Sequence, residues 1–454
     1  MNRKTLIPVI LVTAGLLCWS CGEVVPETKG VIVISIDTLR ADRLGCYGYE
    51  RPTSPFLDSF ATTGTLFETA TTQSPWTLPA HASMLTGRFP HHTGVVTEAD
   101  RLPGDVPTLA SILDAAGFVT GAIVNSHWLS ENQGLARGFL SFRFHRETVK
   151  SSRGLLIVNK GKTITDEAIA WLDRHGKKPF FLFLHYYDVH SSYHPDADHR
   201  RLFVRPYEGK ADGSTGQLMA VRQGTLRYSA DDARHISDLY DAEIHQLDIQ
   251  LGRLLAHLRE LGIDGTTCVA ITSDHGEEFM EHGRVLHGQT MFDEVLRIPL
   301  ILGGPGVPTG RRVEEPVMAV DIVPTLLGRL GIDEADRFDG RDLLSSRGKQ
   351  ESSGETGPRL AFACADWRNS EPDVLRMVRG IRFKLIHNRI TKNSELYDLS
   401  LDPAETEDIS GDHPGLVEEL MERLGEIMAG KREGERIRPR SSEQIEELKS
   451  LGYF

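Results

Sequence analysis

Short apolar runs alternate with amphipathic stretches over most of the chain. The apolar runs are continuous and rich in β-branched residues, which suits strands that are buried on both faces of a sheet. Between them lie stretches with apolar residues at helical spacing, most clearly residues 238–261. This alternation predicts an α/β fold with a doubly wound, mostly parallel sheet. The predicted strands are 30–37, 121–124, 180–184, 267–271 and 298–302, and the other predicted helices are 108–116 and 165–175.

The pattern changes after residue 335, which divides the chain into a large domain at 28–335 and a smaller part. Residues 336–358 are hydrophilic and rich in Ser, Gly and charge, as in a linker. Residues 360–364 and 377–386 predict an antiparallel sheet and residues 416–429 a helix, so we expect a small α+β subdomain at 359–430. The last residues, 431–454, predict a charged tail with a short helix at 441–451. The polar stretch 196–229 predicts a loop over a binding site.

The N-terminal residues have the features of an export signal. Arg3 and Lys4 precede a mostly apolar run, residues 6–17, that is too short to span a bilayer. Ser20 before Cys21 suits a cysteine that becomes a lipid-modified N-terminus, although Cys18 stands where such signals normally have Leu. We therefore expect a signal peptide at 1–21 and a periplasmic or cell-surface protein that a lipid on Cys21 tethers to the membrane. Plain secretion and an uncleaved anchor are the alternatives.

Charge and cysteine content narrow the range of partners. The chain has 51 basic and 64 acidic residues, a net charge of −13, which argues against a nucleic-acid partner. If the substrate is anionic, a metal or a few local cations must attract it. The remaining cysteines, Cys46, Cys268 and Cys364, are odd in number and lack metal-ligand spacing, so we expect small buried side chains and no disulfide framework.

Two predicted strands end in residues that bind metals. Asp37 ends the first, and Asp274 and His275 follow the strand at 267–271. Ligands of open α/β sheets gather beyond the carboxyl ends of the strands, and two carboxylates with an imidazole suit a divalent cation. Either aspartate taken alone is as readily a helix cap.

A third candidate element is the segment 74–87, in which Pro79 suits the first turn of a helix and Thr77 its N-terminal edge. Unpaired backbone N–H groups and the helix dipole favour an anion at that place. The segment therefore predicts a phosphate or sulfate cradle with a nucleophilic hydroxyl in it. The alternative is that Thr77 is simply the helix N-cap.

Taken together, five segments resemble the sulfatases and appear in that family's order over nearly the whole chain. They are Val-Ile-Ser-Ile-Asp at 33–37, Thr-Leu-Pro-Ala-His-Ala-Ser-Met-Leu-Thr-Gly at 77–87, Asp-Val-His at 188–190, Ser-Asp-His-Gly at 273–276 and Glu-Leu-Tyr-Asp-Leu-Ser-Leu-Asp-Pro at 395–403. The resemblance implies an alkaline-phosphatase-like central sheet flanked by helices and a small C-terminal subdomain. It also implies a nucleophile that shares one divalent metal ion with carboxylates and a histidine.

The departures from the family pattern concern the nucleophile segment. Thr77 stands where sulfatases have the Cys or Ser that is oxidised to formylglycine, and His81 stands where they have Arg. Threonine cannot undergo that oxidation, so Thr77 would attack directly, as in the phosphoryl-transfer relatives of the superfamily. Thr38 replaces a second Asp and is left out of the predicted metal set, which is Asp37, Thr77, Asp274 and His275 for one Ca, Mn, Mg or Zn ion.

The resemblance also assigns roles to further histidines. His190, in the segment that matches the family's Asp-Pro-His motif, is the predicted acid for the leaving group, and His81 and His287 are predicted to bind non-bridging ester oxygens. A position on the helix surface is the alternative for His81, a loop residue without substrate contact is the alternative for His287, and His127 is expected at the surface. Asp241 and His245, one helical turn apart, would make a second metal pair, but we expect them on a solvated helix face.

The predicted reaction is hydrolysis of an anionic ester of a sugar, lipid or small molecule. A threonyl sulfate lacks the elimination route that formylglycine offers, which favours a phosphoester, phosphodiester or phosphonate over a sulfate ester. A transferase that moves a phospho-substituent through the same intermediate, and a non-catalytic, lipid-tethered binding protein, are the alternatives.

Overall fold

The computed structural model describes residues 27–145, 148–151, 154–157, 160–334, 337–345, 359–366, 374–430, 432 and 435–436. The predicted signal peptide with Cys21, residues 346–358 of the predicted linker and the predicted terminal helix lie outside the described residues.

An eight-stranded sheet forms the centre of the large domain. In spatial order its strands are Arg311–Val313, Thr65–Phe67, Leu300–Gly303, Thr267–Ser273, Gly30–Ile36, Phe180–Tyr186, Val119–Val124 and Ser141–Phe144. All run parallel except Leu300–Gly303, which pairs antiparallel with both of its neighbours. The predicted mostly parallel α/β sheet is confirmed.

Helices cover both faces of this sheet, which explains why its strands are apolar at every position. Along the first strand, Val31 and Val33 face one buried cluster while Ile32 and Ile34 face the other. The first cluster includes residues of the helices Thr77–Thr86, Leu109–Ala115 and Ile322–Arg329. The second includes residues of Pro55–Thr62, Lys160–His175 and the long helix Ala230–Glu260, whose leucines recur at the predicted helical spacing.

Shorter elements surround this sheet, and one of them comes from the C-terminal tail. Two further short helices are Pro90–Thr93 and Asp293–Leu296, and the 3₁₀ turns are Ala41–Arg43, Gly45–Tyr47, His127–Leu129, Glu131–Gln133, Asp264–Thr266 and Ala319–Asp321. Ala70–Thr71, Arg297–Ile298 and Val317–Met318 form a three-stranded sheet. The two-stranded pairs are Glu278–Phe279 with Val285–Leu286, Asp100–Arg101 with Glu435–Arg436, and Thr148–Ser151 with Gly154–Ile157.

The loop prediction for residues 196–229 was wrong, because this stretch contains the helices Ala197–Phe203 and Thr215–Arg222. The second begins after Ser214, whose hydroxyl accepts a hydrogen bond from the Gln217 N–H. It buries only Thr215 and Leu218, so its sequence lacks a long apolar stripe. Within the part of the chain that the structure describes, no helix is long and apolar enough to cross a membrane.

The C-terminal subdomain is an antiparallel sheet with one helix. Its strands are Ala361–Cys364, Leu375–Arg379, Phe383–Asn388 and Ser394–Asp398, and its helix is Pro414–Ile427. The run 377–386, predicted as one strand, is a hairpin whose turn is closed by the Gly380 N–H donating to the Phe383 carbonyl. Cys268 and Cys364 are buried as predicted and Cys46 is half-buried, and none of the three forms a disulfide bond within the described residues.

Candidate active site and metal centre

Asp37 and Asp274 meet at one edge of the sheet because their strands are parallel neighbours. Ile36 pairs with Ser273, so the residue that follows each strand lies at the same level. Both carboxylates and His275 are fully buried. His275 Nε2 lies 3.3 Å from Asp274 Oδ2 and 3.9 Å from Asp37 Oδ1. The structure thus brings together the three residues that the strand ends predicted.

The hydrogen bonds of His275 and Asp274 show which of their atoms are available to a metal ion. His275 Nδ1 donates to the Gly276 carbonyl at 2.9 Å, so Nε2 is the nitrogen with a lone pair. Asp274 Oδ1 accepts from the backbone N–H groups of Thr38 at 3.2 Å and His275 at 2.9 Å. Among the described residues Asp274 Oδ2 has no hydrogen-bond partner, and burial and the charge of Asp37 raise the pKa of Asp274. The donor set and this buried oxygen fit a divalent cation.

The Thr77 hydroxyl lies next to His275. Thr77 Oγ1 lies 3.4 Å from His275 Nε2. The helix Thr77–Thr86 begins at Thr77 and Trp76 is its N-cap, so the alternative that Thr77 merely caps the helix is wrong. As the first helical residue, Thr77 lies among the backbone N–H groups that have no partner within the helix. The Thr77 hydroxyl therefore lies where the N–H groups of the helix can bind an anion. It also lies beside the group that can bind a cation.

His81 lies one turn further along this helix and is fully buried. Its Nδ1 donates to the Thr77 carbonyl at 2.9 Å, so its Nε2 accepts from the Ser35 hydroxyl at 2.9 Å. Burial lowers the pKa of His81 to about 4, so the ring is neutral near pH 7. Both ring nitrogens are thus engaged, and His81 does not supply the positive charge of the arginine that the resemblance places there.

His287 lies next to His275, and His190 lies next to His287. The ring centres of His287 and His275 are 4.3 Å apart, and those of His190 and His287 are 5.2 Å apart. His190 Nδ1 donates to the Ser191 carbonyl at 2.8 Å, and His287 Nδ1 lies 2.9 Å from Glu277 Oε1. Burial lowers the pKa of both rings, that of His190 to about 4. A bound anion would raise these pKa values, because it favours the charged ring.

Three buried residues near the site were missed by the sequence analysis: Asn125, His185 and Glu277. Asn125 directly follows the strand Val119–Val124, and His185 is the next-to-last residue of Phe180–Tyr186. His185 Nε2 lies 3.4 Å from Asp37 Oδ2. Polar residues at the ends of two apolar strands were the available signal, and the rule that identified Asp37 and Asp274 applies equally to them.

Arg222 brings a positive charge close to His287. It is the last residue of the helix Thr215–Arg222, and its Nη1 donates to the His287 carbonyl at 3.3 Å. The stretch that was predicted as a loop over the site thus reaches one of the predicted substrate contacts.

Several other candidates have different environments from those expected. The Thr38 hydroxyl donates to the Val189 carbonyl at 2.9 Å. His127 is half-buried rather than at the surface.

Asp241 is fully buried and accepts from the Tyr49 hydroxyl at 2.6 Å and from Arg51 at 2.5 Å, so its assignment to a solvated helix face was wrong. The distant partners Tyr49 and Arg51 explain the error, because neither is visible in the pattern of the helix. His245 is half-buried, with its Nδ1 2.9 Å from that of His199.

Besides Asp37, Asp274 and His275, two groups of described residues could hold a metal ion. His81, His185 and Asp274 form one of them, and Glu278, His282 and Glu294, which are explained as an ion pair, form the other. His282 Nδ1 lies 2.5 Å from Glu294 Oε1, and Nε2 lies 3.1 Å from the Ala404 carbonyl. Burial alone would lower the pKa of His282, but Glu294 raises it to about 9. Both nitrogens donate, so this imidazolium has no lone pair for a metal.

Comparison with known proteins identifies the family of the chain. The sulfatase family model matches residues 29–332, and the model described as N-sulphoglucosamine sulphohydrolase, C-terminal, matches residues 281–433. An N-acetylglucosamine-6-O-sulfatase of Bacteroides thetaiotaomicron is 27% identical over 496 residues, covering 88% of this chain and 86% of that protein. The solved phosphonate monoester hydrolase of Agrobacterium radiobacter is 22% identical with a TM-score of 0.74, covering 90% of this chain and 100% of that one. The solved complex of BT4656 with its substrate D-glucosamine-2-N,6-O-disulfate is 23% identical with a TM-score of 0.71, covering 88% and 97%. The chain belongs to the sulfatase family of the alkaline phosphatase superfamily and is a hydrolase of that family.

Proposed function

We propose that this hydrolase cleaves an anionic tetrahedral ester through a covalent intermediate on Thr77. The observation that carries this proposal is the position of Thr77 Oγ1, 3.4 Å from His275 Nε2 at the first residue of a buried helix. A hydroxyl that faces a metal-binding group from the start of a helix can be activated as a nucleophile. In this family the corresponding position holds the nucleophile.

The residues that would hold one divalent ion are Asp37, Asp274 and His275, with Thr77 as the reacting ligand. When bound, such an ion lowers the pKa of the Thr77 hydroxyl and neutralises an oxygen of the ester. The protein itself holds the Thr77 hydroxyl at the start of its helix, where backbone N–H groups can bind the remaining ester oxygens. The surrounding side chains are buried, which keeps bulk water from competing with these contacts.

Thr77 Oγ1 would attack the phosphorus or sulfur in line, its hydroxyl proton would pass to the solvent, and the bond to the leaving oxygen would break. His190 is the proposed proton carrier. Next to a bound anion its pKa rises, so it can donate a proton to the leaving oxygen. It would then take a proton from the water that cleaves the threonyl ester, and the departing Thr77 oxygen would regain its proton from the solvent, which restores Thr77.

We propose a phosphoester, phosphodiester or phosphonate as the substrate, because a threonyl sulfate lacks the elimination route of a formylglycine sulfate. The similarity to a phosphonate monoester hydrolase supports this choice. A sulfate ester of a sugar is the second candidate, which the 27% identity to an N-acetylglucosamine-6-O-sulfatase favours.

Turnover of aryl phosphate, phosphodiester, phosphonate and sulfate esters by the purified protein, with Mn, Ca, Mg or Zn added, tests the proposal. We expect hydrolysis of at least one phosphorus ester, and loss of that activity in Thr77→Ala. Thr86→Ala is the matched control, because the Thr86 hydroxyl belongs to the same helix but donates to the Ala82 carbonyl. Full activity of Thr77→Ala would overturn the nucleophile, and turnover of sulfate esters alone would overturn the substrate preference.

We also propose that the protein is exported and tethered by a lipid on Cys21. The Arg3-Lys4 start, the apolar run 6–17 and Ser20-Cys21 support this location. Mass spectrometry of the N-terminal peptide of membrane-extracted protein should show a diacylglyceryl group on Cys21. An unmodified Cys21 in that peptide would exclude the anchor.

A further inference from the structure

We propose that Thr38 is a positioning residue whose hydroxyl holds the segment that carries His190 in a fixed place relative to the metal-binding strand ends. The inference deepens the proposed function and rests on it, since it concerns the proton transfer that is proposed for His190. Thr38 is fully buried and directly follows Asp37. It stands where the sulfatase pattern has a second Asp.

Thr38 forms hydrogen bonds to three separate segments. Its N–H donates to Asp274 Oδ1 at 3.2 Å, and its carbonyl accepts from the Tyr240 hydroxyl at 2.7 Å. Its own hydroxyl donates to the Val189 carbonyl at 2.9 Å. The first two bonds attach Thr38 to the metal-binding group and to the long helix Ala230–Glu260. The third therefore links Val189 to a residue whose backbone is already held.

The backbone has left-handed conformations at both ends of this link. The φ angle is 58° at Thr38 and 68° at Val189. β-branched residues rarely adopt positive φ values, because the side chain crowds the backbone, and such residues persist only where their surroundings hold them. Thr38 follows Asp37 and Val189 precedes His190. The hydrogen bond thus joins the two unusual backbone positions that adjoin functional residues.

Contacts within its own segment orient the ring of His190. The ring stacks on Tyr187, with ring centres 4.3 Å apart, and Nδ1 donates to the Ser191 carbonyl at 2.8 Å. These contacts place the ring relative to its neighbours in the chain. The hydrogen bond from Thr38 to Val189 then fixes that part of the chain relative to the metal-binding group.

The link requires a hydrogen-bond donor at position 38. A carbonyl oxygen can only accept, and so can an ionised carboxylate, so the Asp of the family pattern would supply no proton to the Val189 carbonyl. The hydroxyl of Thr38 supplies one. The departure from the family pattern thus replaces a carboxylate by a donor that reaches the segment of His190.

The dependence of kcat/KM on the leaving group tests this role, because a misplaced acid matters only where the leaving oxygen needs a proton. A para-nitrophenolate ion leaves without a proton, whereas the alkoxide of benzyl alcohol needs one. The para-nitrophenyl and benzyl esters of the same acid are therefore compared. We expect Thr38→Val to lower kcat/KM for the benzyl ester by about 10-fold or more, and for the para-nitrophenyl ester by about two-fold at most.

Thr267→Val is the matched control. Thr267 is buried, and its hydroxyl donates to the Ile263 carbonyl at 2.7 Å. It begins the strand Thr267–Ser273, whereas Asp274 follows the other end of that strand. This variant loses an equivalent hydrogen bond away from the site, so it should keep the wild-type ratio of the two kcat/KM values. The wild-type ratio in Thr38→Val would overturn the proposal.

A second pair of variants covers the case in which Thr38→Val does not fold. Serine and alanine differ only in the hydroxyl, and neither is β-branched, so both suit the left-handed backbone better than valine. Thr38→Ala should show the selective loss for the benzyl ester, and Thr38→Ser should not. The same ratio in both variants would contradict the role of the hydroxyl.

His190→Gln separates this inference from the proposed function. If His190→Gln lowers kcat/KM equally for both esters, His190 is not the acid, and the proposed function fails at that step. If His190→Gln shows the selective loss but Thr38→Val and Thr38→Ala do not, the acid stands and only the role of Thr38 is wrong.

Discussion

Thr77 Oγ1 lies 3.4 Å from His275 Nε2, although 198 positions separate the two residues in the chain. The helix Thr77–Thr86 packs on one face of the sheet, while His275 lies just beyond the carboxyl end of the central strand Thr267–Ser273. The reacting hydroxyl and the metal-binding group therefore belong to different elements. Substitutions and metal removal test whether the hydroxyl and the metal-binding group act together.

A serine at position 77 should keep part of the activity. Thr77→Ser retains the hydroxyl that attacks, whereas Thr77→Ala should lower kcat by about 10³-fold or more, as expected when a nucleophile is removed. Rapid acid quenching during turnover, followed by peptide mass spectrometry, should find the transferred group on residue 77 in the wild type and in Thr77→Ser. A modified residue elsewhere in the chain would contradict the mechanism.

Removal of the metal should lower stability as well as activity. A ligand that binds only the folded protein stabilises it by about 4 kcal/mol at 1,000 times its Kd. Thermal unfolding with and without a chelator should therefore show a lower Tm for the stripped wild-type protein. Asp274→Asn, which weakens the site, should show a smaller difference. An identical Tm for the wild type in both conditions would mean that no metal is bound.

The His282–Glu294 ion pair should make stability fall at alkaline pH. The pKa of His282 is about 9 in the folded protein, against about 6.5 when unfolded. Its contribution is fully present below pH 6.5 and is lost as the pH rises through 9. It amounts to about 1–2 kcal/mol, since the ring is only partly shielded from solvent.

Urea unfolding at pH 6.5 and 9.5 measures this contribution. The wild type should lose more free energy of unfolding between these pH values than His282→Gln, which cannot titrate. The same loss in both proteins would show that His282 does not act in this way.

Lys384 should be important for the attachment of the C-terminal subdomain. It is fully buried, and its Nζ lies 2.9 Å from Asp293 and 2.7 Å from Glu405. Lys384→Met leaves the buried carboxylate of Glu405 and the half-buried carboxylate of Asp293 without this partner, which should lower the free energy of unfolding by about 3 kcal/mol. Urea unfolding measures the effect, and Lys178→Met, at an exposed position, is the control. Equal stability of the two variants would contradict the expectation.

The pattern of apolar and polar residues was sufficient to predict features that depend on a single helix or strand. Strands that are apolar at every position predicted a parallel sheet with helices on both faces, because only such a sheet buries both sides of each strand. The strand-end rule then placed Asp37, Asp274 and His275 together. The same reasoning failed for the helix Thr215–Arg222, because its few buried residues leave no clear periodic signal.

The sequence by itself thus determined the fold, the family and the position of Thr77 beside a metal-binding group, because these follow from short-range periodicity and from the order of the motifs. Only the tertiary structure decided which nitrogen of each histidine faces that group. Proton positions depend on hydrogen-bond partners from distant segments, such as Asn125 for His185 and Ser35 for His81. The pattern within one element does not contain these partners, so it cannot assign the protons.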